Sequence, residues 1–453
     1  MLAEQLTIWH RTAVLKQEIA VARPTKSHDR QMESPTRLMN WNFFLLWQGQ
    51  FVSLLGGHVN TVALVALVKH ATGSASLIGL VMLVSSITRV LLSGIGGALA
   101  DRHSRRGIIL YSDMLRGIAV LSLAVLLYMA PHATGLMVIW LWGVAMCIAV
   151  TSAFFAPALS AAIPDLVPQD QVARANSLRQ FTVQISTFVG QSLGGILFRL
   201  WGAPLLILIN GLSFLYSAVS ESFVTIPQTI PDESNTWKEQ VGAYKQEIVK
   251  GFFYIWNWPG MRRLFLASAF INIFSAPVIV LLPFYVEDYL KVSLDWYGFF
   301  LATYSIGLMI GSLHAGFIKM KGETRMEMMI IFMVFNSLTI ALFGFVHSPI
   351  VALVVAFMAG IMSAFNSTNI ATILQISTPS EVRGRVFGLL NTLSGSTVPL
   401  GMGLGGVVFD LTGQNVPLVY GSCGVIMAVL SILVSLSHEF REFLAYEAGQ
   451  EKV

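Results

Sequence analysis

Residues 97–106 read Gly97-Ala98-Leu99-Ala100-Asp101-Arg102-His103-Ser104-Arg105-Arg106 and join two long apolar runs, 77–99 and 107–129. A membrane-spanning helix needs about 20 mostly apolar residues, and both runs meet that length. The polar turn between them, with three arginines and an aspartate, therefore lies at one face of a bilayer. Ten further runs pass the same ruler. Four complete a first set, at 42–67, 134–156, 175–199 and 203–226. Six form a second set, at 264–286, 296–318, 326–346, 350–373, 386–409 and 416–436. The reading is an all-α membrane protein with twelve spans, divided six and six by the polar stretch Pro227–Arg263.

Composition agrees. The 453 residues are 55% hydrophobic and 11% charged, with a mean hydropathy of +0.69. Soluble domains carry about 25% charged residues, so a water-facing surface cannot be built here, which excludes a soluble enzyme and a disordered regulator. The net charge of +4 leaves no nucleic-acid footprint. Cys147 and Cys423 each sit in an apolar run and give neither a disulfide framework nor a metal spacing.

The basic residues fix an orientation. With the N-terminus in the cytoplasm, 23 of the 28 Lys and Arg fall on inside segments, and only Lys69, Arg199 and Lys291 fall outside. That asymmetry is the positive-inside rule, and an even span count returns the C-terminus to the cytoplasm. The expected organisation is a cytoplasmic segment 1–41, a six-helix bundle 42–226, a linker 227–263, a second bundle 264–436 and a cytoplasmic tail 437–453. Met1–Arg37 has no apolar run of leader length. The linker sets Trp237, Tyr244, Phe252, Phe253, Tyr254, Trp256 and Trp258 among lysines, which reads as an amphipathic helix lying on the inner leaflet.

The halves repeat at an offset of 211 residues. Pro168, Asp170, Arg174 and Leu178 map onto Pro379, Glu381, Arg385 and Leu389. Without a gap, Gly190, Gly194, Gly195, Phe198 and Gly202 map onto Gly401, Gly405, Gly406, Phe409 and Gly413. An ungapped register that includes the polar loop argues for duplication, with two bundles related by a pseudo-two-fold axis and substrate held between them. The paired Gly-x-x-x-Gly motifs let backbones approach closely in lipid.

The 97–106 turn resembles the cytoplasmic signature of the major facilitator superfamily, Gly-x-Leu-Ala-Asp-Arg-x-Gly-Arg-Arg/Lys, departing from it at Ser104. Leu46-Trp-Gln-Gly-Gln50, Ile163-Pro-Asp-Leu-Val-Pro168 with Ala173-Arg-Ala-Asn176, and Thr378-Pro-Ser-Glu-Val-Arg-Gly-Arg385 are similar to a subgroup of macrolide-efflux and enterobactin-exporter-like proteins. Many of that subgroup carry an acid near position 57, where this chain has Gly57-His58, so that role does not carry over. The resemblance implies a gate built from Gly97, Leu99, Asp101, Arg102, Arg105 and Arg106, with a second-half loop motif at Glu381, Arg383 and Arg385. In it Asp101 accepts hydrogen bonds from the N-terminus of span 11, where the helix dipole is positive, and the arginines pair with Asp165 or Asp170. The latch closes the inner side and breaks on inward opening. Spans 1, 4, 7 and 10 then line the substrate cavity, offering Gln48, Gln50, Asn60, Asn272, Asn366 and Asn369.

An ionisable residue deep in a span is costly unless it is paired or faces water. Arg89 and Arg116 lie about 15 Å from the cytoplasmic face at 1.5 Å per residue, and Asp113 is placed to pair with Arg116. Glu221, Glu327 and Asp410 are read as lying near span ends. Two cations against one anion favour an anionic substrate, or a purely structural network of Arg89, Asp113 and Arg116. Asp113 is the best proton-coupling carboxylate.

No Gly-x4-Gly-Lys-Ser/Thr, metal-ligand cluster or His-Glu-x-x-His occurs, so neither an ATP pump nor an enzyme is expected, and no cofactor or metal. The expected function is secondary active export of a small drug- or siderophore-like molecule from the cell through the plasma membrane, by alternating access with proton antiport. The protein is expected to be a monomer, with the lipid bilayer, its substrate and a proton as partners and no nucleic acid. The alternative is a lipid flippase or an uptake transporter of the same fold.

Overall fold

The computed structural model describes residues 37–228, 249–317 and 320–447, without the side chains of Ser380 and Glu381. Most of the expected N-terminal segment, linker residues 229–248 and tail residues 448–453 lie outside the described residues, as does the Glu381 side chain.

Eleven helices among the described residues are long and apolar enough to cross a membrane. They are α1 (Trp41–Thr72), α2 (Ala75–Arg102), α3 (Arg105–Met129), α4 (Thr134–Leu166), α5 (Val172–Ser222), α6 (Pro259–Phe284), α7 (Asp295–Phe317), α8 (Gly322–Phe343), α9 (Pro349–Ser377), α10 (Ser380–Leu411) and α11 (Val416–Ser435). A short α12 (His438–Ala445) follows. The sequence reads two spans where α5 runs as one element. The backbone of α5 turns non-helical at Gly202 (φ 72°, ψ 168°), so it consists of two limbs, and counting them separately gives twelve. Gly413, the repeat partner of Gly202, has φ 67° at the end of α10. Both positions take the left-handed region that glycine enters without steric cost.

Helix starts follow from local chemistry. The side chains of Asn40, Ser74 and Ser104 accept from the backbone N–H of Phe43, Leu77 and Gly107. Each satisfies a donor that the first turn leaves orphaned. Ser104, the departure from the family pattern, thus serves as the N-cap of α3.

Packing repeats between the halves. In the first half α5 packs on α1, α2 on α4, and α3 on the second limb of α5. In the second half α10 packs on α6, α7 on α9, and α8 on α11. Across the halves, α10 meets α2 and α5 meets α7. Each of these pairings has its counterpart, as a pseudo-two-fold requires. The glycine motifs explain the close approaches. A Cβ on Gly190 or Gly194 would strike His58 or Val62 of α1, and one on Gly401 or Gly405 would strike Ile273 or Pro277 of α6. The next glycines face the other half, Gly195 against Asp295 and Gly406 against Ala75. Many outward side chains are apolar and exposed, among them Leu91, Ile139, Val219, Met309 and Leu433, as a lipid-facing surface demands.

Candidate functional site

The helix pair α2 and α10 crosses like a scissor. At the end remote from the 97–106 turn the blades touch: a Cβ on Gly79 would lie 2.3 Å from the Met402 carbonyl oxygen, and one on Gly406 would lie 2.5 Å from that of Ala75. Midway, Gly395 comes only within 3.9 Å of Val90. Toward the 97–106 turn, a Cβ on Gly97, Gly384 or Gly388 would meet open space.

Among the described residues, the hydrogen bonds and ion pairs given between the halves gather at the remote end. Asp410, at the C-terminus of α10, holds the first turn of α2. Its Oδ2 accepts from Ser74 Oγ (2.9 Å), Ser76 N (2.9 Å) and Ser76 Oγ (2.6 Å), and its Oδ1 accepts from Ala75 N (3.2 Å). An anion at a helix N-terminus gains from both the dipole and the free N–H groups. Arg199, which is 211 residues before Asp410, pairs with Asp295 at the first residue of α7 (2.7 Å). Between these contacts Lys69 Nζ donates to Glu287 Oε2 (2.6 Å) and to the Pro283 carbonyl (3.0 Å), with Asp288 Oδ2 at 2.9 Å.

The gate residues read from the sequence occupy the open end. The side chain of Asp101 is 66% exposed, and its one ion-pair partner among the described residues is Arg105 at 3.9 Å. The expected bond to the N-terminus of α10 is not made in this state. Arg105 turns inward to Asp165 Oδ2 (2.5 Å) and the Ala161 carbonyl (3.1 Å). Arg106 donates to the Ser222 carbonyl. The Leu99 carbonyl accepts from His103 N, ending α2. Arg102 and Arg385 each make a contact of their own. Arg383 donates to the Thr378 carbonyl (3.2 and 3.3 Å).

A cavity of about 670 Å³ lies between α1, α2, α4 and α10. Its wall is mainly apolar. The polar exceptions are Thr61, Ser85, Ser86, Arg89, Ser152 and Ser394. Arg89 donates to Ser86 Oγ (3.3 Å) and has no acidic partner among the described residues. The structure separates it from Asp113 and Arg116, with which the sequence groups it.

None of the six amide side chains read as cavity candidates borders this space. Gln48 donates to Ser220 Oγ (2.5 Å) and accepts from Tyr216, gluing α1 to α5. Asn60 is buried with its Oδ1 unbonded. Asn272 and Asn366 line a smaller cavity of about 160 Å³ in the second half, and Asn369 donates to the Phe365 carbonyl of its own helix.

Gln50 instead enters a buried charge cluster. Arg116 Nη1 donates to Asp113 Oδ1 (2.9 Å), Arg116 Nε to Thr151 Oγ1 (3.1 Å) and Arg116 Nη2 to Ser152 Oγ (3.1 Å). Its guanidinium also lies 4.3 Å from the Phe155 ring centre. Glu221, placed near a span end by the sequence, joins the cluster and is 1% exposed. The signal for it was present: Asn210, Ser213, Ser217, Ser220 and Glu221 recur at helical spacing as a polar stripe on the second limb of α5. Arg179, counted with the surface bases, borders a 220 Å³ pocket beside Gln50, and its Nε is buried without a partner among the described residues.

The sequence model of the Major Facilitator Superfamily matches residues 46–402 and 264–442. Macrolide efflux protein A of Streptococcus pyogenes is 25% identical over 388 residues, covering 82% of this chain and 90% of that protein. The enterobactin exporter EntS of Escherichia coli is 25% identical over 408 residues, covering 88% and 93%. A bacterial homologue of the iron transporter ferroportin, solved in an inward-facing state, superposes with a TM-score of 0.69 at 15% identity, covering 87% of this chain and 98% of that one. A bacterial homologue of the human lysosomal transporter Spinster, inward-facing and unoccupied, gives 0.62 at 16%, covering 90% and 94%.

Proposed function

We propose, for a chain that belongs to the major facilitator superfamily, that it is a secondary active transporter exporting a small amphipathic organic anion by alternating access and proton antiport. The observation that carries this reading is the 670 Å³ cavity, bounded by both halves, sealed at one end and splayed at the other, with a guanidinium in its apolar wall that has no acidic partner among the described residues. The end with the 97–106 turn also carries Arg174, Arg262, Arg263, Lys321, Arg325 and Arg441, which supports placing it in the cytoplasm of a plasma-membrane protein. In that orientation the state described is inward-open. Cargo enters from the cytoplasm, its apolar body meets Leu64, Val68, Ile148 and Met402, and Arg89 meets its anionic group. The halves then rock: the Asp410 and Lys69 contacts part, and Asp101 reaches the N-terminus of α10. Export as the direction rests on the efflux names of the relatives.

The test is transport by purified protein in liposomes with an imposed pH gradient, offering a macrolide, a catecholate siderophore and a lysophospholipid. The expected outcome is gradient-driven movement of the catecholate, weakened about tenfold in apparent affinity by Arg89→Gln, the size of one charge-assisted contact. Preference for a cation rejects the role of Arg89. Lysophospholipid movement alone favours a flippase, whose cargo fits the same apolar wall and cation.

A further inference from the structure

Two carboxylates share one guanidinium inside the first half. Asp113, Glu221 and Arg116 are 0%, 1% and 6% exposed. Gln50 Nε2 donates to Glu221 Oε1 at 2.9 Å and lies 3.5 Å from Asp113 Oδ2, so the amide bridges the two acids. Ser217 Oγ donates to the same Glu221 Oε1 at 3.2 Å. Glu221 Oε2 is buried and has no partner among the described residues. The groups facing Glu221 are Gln50 from α1, Asp113 and Arg116 from α3, and Ser217 from its own helix, with Cys147 of α4 beyond Arg116.

The two acids are not equivalent. Asp113 receives a charged donor directly, whereas the donors to Glu221 are a neutral amide and a hydroxyl. With both ionised the cluster carries one net negative charge, and one buried carboxylate oxygen has no donor among the described residues. Buried charges persist when paired and buried polar atoms when hydrogen-bonded, and this oxygen has neither support. A single proton on it brings the cluster to neutrality. Two carboxylates on one site titrate in separate steps for the same reason.

We propose that Glu221 is the proton-carrying carboxylate of the transport cycle, with Asp113 held ionised on Arg116. This rests on the antiport reading and relocates the coupling acid from Asp113. Water delivers the proton, an O–H bond forms at Oε2, and that bond breaks when the proton leaves to water on the other side of the cycle. The path to cargo is short. Arg116 Nη2 donates to Ser152 Oγ, and Ser152 borders the 670 Å³ cavity together with Arg89. An anion drawing on Ser152 or Arg116 changes the positive charge that Glu221 feels, and a proton on Glu221 acts back on the anion by linkage.

Infrared difference spectroscopy of the purified full chain reads the proton directly and needs no cargo. Near neutral pH the wild type should show the carbonyl stretch of one protonated carboxyl. Glu221→Gln should remove it, Glu221→Asp should keep a band at a shifted frequency that assigns the proton to position 221, and Asp113→Asn should lose it, because Glu221 then becomes the anion that balances Arg116, with monodisperse elution certifying each variant as folded. Absence of the band in wild type, or its survival in Glu221→Gln, overturns the assignment. In liposomes loaded with a radiolabelled macrolide or catecholate, Glu221→Gln should keep downhill exchange and lose gradient-driven accumulation. A gradient-driven wild type whose Glu221→Gln variant accumulates equally overturns the role of Glu221. A wild type that moves the probe indifferently to the gradient overturns the antiport reading instead.

Discussion

The two ends of the α2–α10 pair carry the same device in opposite conditions. Each helix ends in an aspartate near the other helix's first turn: Asp410 of α10 at the start of α2, and Asp101 of α2 at the end where α10 begins. Asp410 is engaged through four hydrogen bonds, whereas Asp101 is mostly in solvent. The glycines grade the same way, from backbone contact at Gly79 and Gly406 to open space at Gly97 and Gly388. A carboxylate on a helix N-terminus is modest in energy and made by a simple approach, so it can be exchanged as the halves rock. On the alternating-access reading proposed above, Asp101 and Asp410 form a reciprocal pair, of which the Asp410 contact is the one made here.

Removing the engaged partner should have the largest effect. Asp410→Ala deletes charge-assisted bonds worth about 2 kcal/mol together, roughly thirtyfold in the ratio of the two states. Spin labels on the α2–α3 and α9–α10 turns should report a shorter mean distance in this variant. An unchanged distance would show that the remaining contacts, at Lys69 and Arg199, hold the remote end without Asp410. Asp101→Asn should act later in the cycle. In the present state it removes only the exposed 3.9 Å pairing with Arg105, so cargo binding and thermal stability should change little. Turnover should fall about fivefold, for a contact of about 1 kcal/mol made only in the other state. Wild-type turnover would remove Asp101 from the pair. Arg199→Ala should matter least, because the Arg199 side chain is 62% exposed and such pairs contribute about 0–1 kcal/mol. A label distance that moved as far as in Asp410→Ala would reverse the ranking of the two symmetry-related contacts.

Much of this was legible in the primary structure, and the failures have a common cause. Apolar run lengths place the helices because a bilayer imposes one thickness on all of them. The 211-residue register pairs Gly202 with Gly413, and both take a positive φ that glycine adopts without steric cost. Gln48 and Gln50 were expected to face cargo, yet they bond to α5, because helical period gives a face without naming the neighbour it meets. Glu221 was set aside by counting residues to a span end. That count measures depth along one axis and cannot register that α1 and α3 bring Gln50 and Asp113 to the same place.

The amino-acid order by itself determined the spanning runs, the duplication, the orientation signal and the Asp101 turn. These are local or periodic properties, fixed by transfer of side chains between water and lipid and by backbone sterics. Only the tertiary structure decided which carboxylate meets which partner. Ser76 and Asp410 are 334 residues apart in the chain and 2.6 Å apart in space, and Gln50 and Glu221 are 171 apart and within 2.9 Å. A hydrogen bond acts over a few ångströms, so its partners are chosen by how the helices pack and not by where they fall along the chain.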